Sequence, residues 1–200
     1  MRRLTVFNSV TLDGVMQGPG HRDEDRRDGF EHGGWAAPYS DAVIGQVAGE
    51  GMARGGALLF GRRTYEDLYS AWAGRTDNPF SGPLTEAQKY VVTTTFKEPL
   101  PWSNSTLING DVAATVRGLK TDSGADIVIL GSGDLIQELL AHELIDEFLL
   151  MIHPLVLGSG RRLLRDGGPY ATFRLVETRT STTGVIIATF QPGPPPKPAG

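Results

Sequence analysis

Short apolar runs alternate with segments in which apolar residues recur at helical spacing. Leu4 to Val10 reads as a first strand, followed by a polar, Gly-rich stretch from about Thr11 to Ser40. Asp41 to Arg54 carries Val43, Ile44, Val47 and Met52 on one face and predicts a helix. Ala57 to Phe60 is a buried strand, and Thr64-Tyr65-Glu66-Asp67 has the form of a capping box opening the next helix. Arg75 to Gly82 reads as a polar loop, Lys89 to Thr94 as a strand rich in Val and Thr, and Thr106 to Ile108 as another. Val112, Val116 and Leu119 have helical spacing behind a capping Asp111. Asp126 to Leu130 is nearly all apolar, as expected where both faces of a parallel strand are covered. Leu135, Ile136, Leu139, Leu140 and Leu144 form the stripe of a further helix before a strand at Glu147 to His153. Thr172–Thr180 and Val185–Phe190 predict a closing hairpin with Thr183-Gly184 in the turn, and the Pro- and Gly-rich tail from Pro192 to Gly200 predicts disorder. Strands alternating with helices, then strands without them, describe an α/β fold. It has three layers: a central, mostly parallel sheet with flanking helices and an antiparallel C-terminal hairpin.

Composition narrows the function classes. Two hundred residues, 40% hydrophobic and 21% charged, suit a single domain over residues 1–191 with a sizeable core. A net charge of −4 argues against nucleic-acid binding, which needs clustered Lys and Arg. No apolar run is long enough to span a membrane, and the strand beginning at Leu4 leaves no place for a signal peptide's apolar core. With no cysteine there is no thiolate chemistry. The expectation is a cytoplasmic protein acting on a small molecule. Glycine, at 26 residues, is enriched mainly in loops, and the 11–40 stretch carries Phe30, Trp35 and Tyr39. Aromatics in a long polar loop predict that it orders over a pocket.

The candidate chemistry sits at two strand-to-helix turns, Leu59-Phe60-Gly61-Arg62-Arg63-Thr64 and Ile129-Leu130-Gly131-Ser132-Gly133-Asp134. Backbone N–H groups at a helix start attract anions, and glycine permits close approach. Two such turns suit a ligand with several phosphates. Gly131-Ser132-Gly133 departs from the Rossmann fingerprint, since Ile136 stands where the third glycine belongs and Met151 where the acid belongs. It is either a phosphate cradle or a tight connection. Arg62 and Arg63 offer fixed charge for the 2′-phosphate or pyrophosphate of NADPH, or else are solvated. The hydroxyls of Thr93, Thr94 and Thr95 either meet a ribose phosphate or reflect β propensity. Asp13, just past the first strand, borders the usual ligand crevice and is the candidate for substrate orientation or proton delivery; a turn-forming Asp-Gly is the alternative. His21, His32, His142 and His153 lack metal-ligand spacing, so no metal is expected, and His153 reads as a strand-end residue before Pro154. Leu157-Gly158-Ser159-Gly160-Arg161-Arg162 is a third glycine turn with adjacent charge.

Four markers in order resemble the dihydrofolate reductase superfamily, and more closely its branch shared with the reductase domain of bacterial riboflavin biosynthesis (RibD C-terminal domain-like). They are Ser9-Val10-Thr11-Leu12-Asp13-Gly14, Gly61-Arg62-Arg63-Thr64-Tyr65-Glu66, Leu130-Gly131-Ser132-Gly133 and His153-Pro154-Leu155-Val156-Leu157-Gly158-Ser159-Gly160. The resemblance covers about Arg3 to Gln191. Gly29-Phe30-Glu31-His32-Gly33-Gly34-Trp35 is similar to a reductase-like subgroup without assigned activity. The resemblance implies NADPH as hydride donor and a small heterocyclic, pteridine- or aminopyrimidine-like substrate, as in 5-amino-6-(5-phosphoribosylamino)uracil reductase. It implies that Gly61, Arg62, Arg63 and Thr64 hold cofactor phosphates and that Thr93 and Thr94 lie near the adenosine ribose phosphate. Gly131, Ser132, Gly133 and Asp134 would cradle the pyrophosphate, with Leu135 close by. Asp13 would face the substrate, under a lid of Trp35 with Phe30 or Tyr39. A homodimer is also implied. Dihydrofolate reductases place a carboxylate on the first helix; here that region is the His21–Ser40 loop, with Asp23, Glu24, Asp25, Asp28 and Glu31, so folate is not carried over. No His- and Cys-rich deaminase domain is expected in these cysteine-free residues, so the resemblance supports the reduction step only. A nucleotide-binding module without turnover is the alternative reading, and a binding protein that uses no nucleotide is a third.

Overall fold

A computed structural model describes residues 1–53 and 56–195; the expectations placed on the Met52 side chain, on Arg54 and on residues 196–200 lie outside the described residues. Eight strands form one sheet: β1 (Leu4–Thr11), β2 (Ala57–Gly61), β3 (Lys89–Val92), β4 (Ser105–Ile108), β5 (Ile127–Leu130), β6 (Glu147–His153), β7 (Phe173–Thr180) and β8 (Ile186–Pro192). Their order is β4-β3-β2-β5-β1-β6-β8-β7. The first six are parallel; β8 pairs antiparallel with β6, and β7 antiparallel with β8. Helices α1 (Ala42–Ala53), α2 (Arg62–Trp72), α3 (Ser81–Glu86), α4 (Val112–Thr121) and α5 (Gly133–Ala141) cover its faces. Among the described residues no helix is long and apolar enough to cross a membrane.

The alternation along β5 shows why the central strands read as continuous apolar runs. Ile127 and Ile129 face one core with Val112 and Val116 of α4 and Ile136 and Leu139 of α5. Val128 and Leu130 face the other, with Phe60, Tyr65 of α2, Val91 and Trp102. Both faces are covered by apolar side chains, so β5 itself carries no polar residue. Lys89, fully buried at the start of β3, is the exception: its ammonium donates to the carbonyls of Thr85, Ala87 and Ser103 and lies 4.6 Å from the Trp102 ring centre.

Several boundaries differ from the sequence reading. Helix α2 starts at Arg62 behind Gly61, so Thr64 lies in its first turn rather than capping it. The 75–82 segment ends in the short helix α3, which four to six residues cannot announce by periodicity. Strand β3 stops at Val92, leaving Thr93 and Thr94 beyond it. Asp111 does cap α4, accepting from Ala114 N–H at 2.8 Å, and the β7–β8 turn is closed by Gly184 N–H donating to Ser181 C=O, with Gly184 at φ 85°. Order also extends into the Pro-rich end, where Gly193 N–H donates to Thr172 C=O.

The long loop after β1 is packed. Val15, Phe30 and Trp35 make their own small core with Leu155 and Leu157, and Trp35 Nε1 donates to Gln17 C=O at 2.7 Å. Val15 pairs with Arg162 as an isolated antiparallel bridge. Gly160, at φ 113°, is required there, because a Cβ would lie 2.7 Å from Phe30 Cε2 and 2.8 Å from Val15 Cγ1. The third glycine turn thus docks against the loop.

Candidate active site

Because β2 and β5 are neighbours, the two glycine turns that end them lie side by side. Gly61 N–H donates to Ser132 Oγ at 2.7 Å, Thr64 Oγ1 lies 2.8 Å from the same atom, and Gly131 N–H donates to Asn8 Oδ1 at 2.8 Å. A Cβ at 61 would sit 3.0 Å from Ser132 Oγ, and one at 131 would sit 3.2 Å from Thr64. These glycines let the turns approach each other, which brings two helix N-termini together. Neither α2 nor α5 has a side-chain N-cap hydrogen bond. Their first-turn N–H groups therefore lack intrahelical acceptors and leave partial positive charge.

Both termini open on a cavity of about 1230 Å³ at the carboxyl ends of the parallel strands, the usual ligand crevice of such sheets. Gly61, Arg62, Arg63, Thr64, Gly131, Ser132, Gly133, Asp134 and Leu135 all line it. Its cations differ in availability. Arg62 pairs with Glu66 at 2.8 Å, Arg165 with Asp134 at 2.8 Å and Arg161 with Asp28 at 2.9 Å. Arg63 is exposed and has no ion-pair partner among the described residues. The far wall is acidic: Asp67 of α2 faces Glu24, Asp25 and Arg27 of the long loop. Burial, then the charges of Asp25 and Glu24, push the Asp67 carboxyl up to about 6. Arg27 is committed to Asp25.

Other predicted site residues lie elsewhere. Thr93 and Thr94 do not line the cavity, although Val92 does; Thr93 is buried and its hydroxyl accepts from Thr95 N–H at 3.1 Å. The Asp13 carboxylate accepts from Thr11 Oγ1 at 2.6 Å, Gly158 N–H at 2.9 Å and Leu157 N–H at 3.3 Å. It clasps the third glycine turn outside the cavity, and the Thr11 hydroxyl and the backbone donors hold its pKa below the usual range. Phe30 and Trp35 are buried in the loop's core, and Tyr39 packs against a separate cluster of Val47, Val185 and Ile187, so none forms a movable cover. The segment over the cleft is Met16–His21 with Glu24, Asp25 and Arg27.

The structure adds residues that sequence reasoning missed. Asp67, Leu68, Ala71 and Trp72 share the cavity face of α2 with Thr64. Their spacing of three and four residues was the available signal, masked because the face mixes charge with apolar groups. A second cavity of about 260 Å³ includes Ser9, Ile44, Met151 and His153. His153 is buried, and its ring meets Trp35 and Tyr39 edge-on.

Comparison with known proteins identifies the family and the fold. The model of the RibD C-terminal domain matches residues 2–187. An uncharacterised protein of Bacillus subtilis, YyaP, is 31% identical over 194 residues, 92% of each chain. Among solved structures, a riboflavin biosynthesis protein described as putative from Shewanella aligns over 96% of this chain and 99% of its own, with TM-score 0.68 and 20% identity. A diaminohydroxyphosphoribosylaminopyrimidine deaminase/5-amino-6-(5-phosphoribosylamino)uracil reductase from Thermotoga maritima aligns with TM-score 0.64 and 18% identity, this chain spanning 57% of it. These two show the shared fold. The match over nearly its whole length places this chain in the RibD C-terminal domain family.

Proposed function

We propose that this protein is an NADPH-dependent reductase of a small heterocyclic substrate, pteridine- or aminopyrimidine-like. The observation that carries this reading is the convergence on one cavity, at the sheet's carboxyl edge, of two uncapped helix N-termini and of Arg63, which has no ion-pair partner among the described residues. That arrangement fits a dinucleotide: several N–H donors and fixed charge for phosphates, beside room for two ring systems. The first-turn N–H groups of Arg62, Arg63 and Thr64 would hold one phosphate, and those of Gly133, Asp134 and Leu135 another. Arg63 would hold the 2′-phosphate. When bound, NADPH supplies the hydride. The chain's own part is to orient the substrate, exclude water beneath the Met16–His21 segment and hold charge at fixed positions. Of the acids lining the cleft, Asp67 is the one whose pKa is raised toward neutrality, to about 6. The related Thermotoga protein carries a uracil reductase in its name, which supports a pyrimidine-like substrate here.

Titration with NADPH and NADH, followed by tryptophan fluorescence, tests the reading. NADPH should bind more tightly. Arg63→Ala should weaken NADPH about 10-fold, the order of one charge-assisted contact, and leave NADH unchanged. Arg62→Ala should matter less, since Arg62 is held by Glu66. If neither nucleotide binds, the proposal fails. One observation favours a second reading, a binding module without turnover: Asp13, the expected acid, is engaged by backbone N–H groups away from the cavity. Cofactor binding without oxidation on any heterocycle would select it. We also propose a homodimer through the open edge of β7, where Leu175 and Val176 are exposed.

A further inference from the structure

Among the described residues no charged side chain lines the smaller cavity, whereas the larger one is rimmed by arginines and acids. Ser9, Pro19, Gly20 and Met151 line both, so the two are adjoining compartments of one cleft. The polar groups of the small compartment are few. His153, 2% exposed, forms part of its wall. Its Nε2 lies 3.3 Å from Ser9 Oγ, and its Nδ1 is buried with no partner among the described residues.

The tautomer follows from that network. A buried N–H without an acceptor is rarer and costlier than a bare acceptor. The single proton of the neutral ring therefore belongs on Nε2, which donates to Ser9 Oγ. Ser9 then keeps its own hydrogen, and among the described residues its hydroxyl has no other partner. It is left as a donor at the junction of the two compartments. Burial lowers the His153 pKa to about 4, which keeps the ring neutral at physiological pH.

We propose that the small compartment is a subsite for the uncharged, hydrogen-bond-accepting edge of a heterocycle, a lactam or imine, with Ser9 donating to it and His153 acting as a positioning residue. An ionised substituent finds no counter-charge there, and its burial costs too much to be tolerated. Phosphates and carboxylates belong to the arginine-lined compartment. The inference rests on the reductase reading in one respect only, that the ring held here is the one reduced.

The test uses a matched pair of probes, uracil and orotate, which share a lactam ring but differ by a carboxylate. Histidine ¹⁵N spectra of the wild-type protein should show His153 as the neutral Nε2–H tautomer at pH 7. Uracil should shift that signal, and orotate at the same concentration should not. Ser9→Ala should weaken uracil binding about 10-fold, the worth of one buried hydrogen bond. His153→Leu should do the same, and His153→Gln, whose amide nitrogen reaches a similar position, should restore it. Should the Leu variant not fold, the Ser9 variant and the wild-type tautomer still decide. An Nδ1–H tautomer, absence of any uracil effect, equal binding of orotate, or uracil binding indifferent to Ser9→Ala each overturns the subsite. NADPH titration of the same protein is scored apart: uracil binding without NADPH binding removes the reductase reading and leaves the subsite standing.

Discussion

Trp35 and Tyr39 meet the His153 ring edge-on, with centroids 5.1 and 5.4 Å away, and the residue is buried. The folded ring resists protonation down to about pH 4, whereas the unfolded one titrates near its ordinary 6.5. Between those values the unfolded chain binds the extra proton, so stability falls as pH drops through that window. The loss attributable to His153 is about 3 kcal/mol. Urea midpoints at pH 7 and pH 4.5 should therefore diverge more for wild type than for His153→Gln, and equal divergence would refute this. Asp67 acts with the opposite sign. Its folded pKa is raised, so the folded state takes up a proton first and gains stability as pH falls from about 6 toward 3.8. Asp67→Asn should raise the melting temperature at pH 7.5 and abolish that gain. Neither environment was legible in the sequence. His153 showed only a strand end before proline, and the neighbours that neutralise it come from more than a hundred residues away.

At the scale of elements, the site depends on two turns holding each other. The apolar runs and glycines at 57–61 and 127–131 located both turns, because strand-to-helix junctions change periodicity abruptly. What glycine does there was not visible: it makes room for Thr64 and Ser132 rather than only for a ligand. Gly131, at φ 73° and with Thr64 3.2 Å from a would-be Cβ, tests this. Gly131→Ala should cost about 1–2 kcal/mol from backbone strain, and should weaken NADPH more than Arg62→Ala does. Chemical denaturation and nucleotide titration of one preparation check both. A variant of wild-type stability with weakened NADPH would mean that glycine serves the phosphate directly. The start of α2 was misplaced in sequence because Thr64-x-x-Asp67 mimics a capping box, whereas Thr64 spends its hydroxyl on Ser132 of another turn.

For the whole molecule, the strand order puts β2 beside β5 and leaves β7 as an open edge. An exposed edge carrying Leu175 and Val176 invites pairing, so light scattering after gel filtration should give twice the chain mass, and Leu175→Lys with Val176→Glu should halve it. A monomeric wild type would refute the dimer. The sequence by itself determined the class of fold, because hydrophobic periodicity is local and survives in one dimension: α/β alternation, a buried β5, the C-terminal hairpin and the two glycine turns. It also determined nine of the residues around the main cavity, since they sit in those turns. Only the tertiary structure decided which partners the polar groups find. It turned Asp13 and Trp35 to binding the loops together, paired Arg62 with Glu66 while Arg63 has no ion-pair partner among the described residues, and brought Asp67 and His153 to the cleft. Such choices depend on contacts between residues far apart in sequence, and no local pattern encodes them.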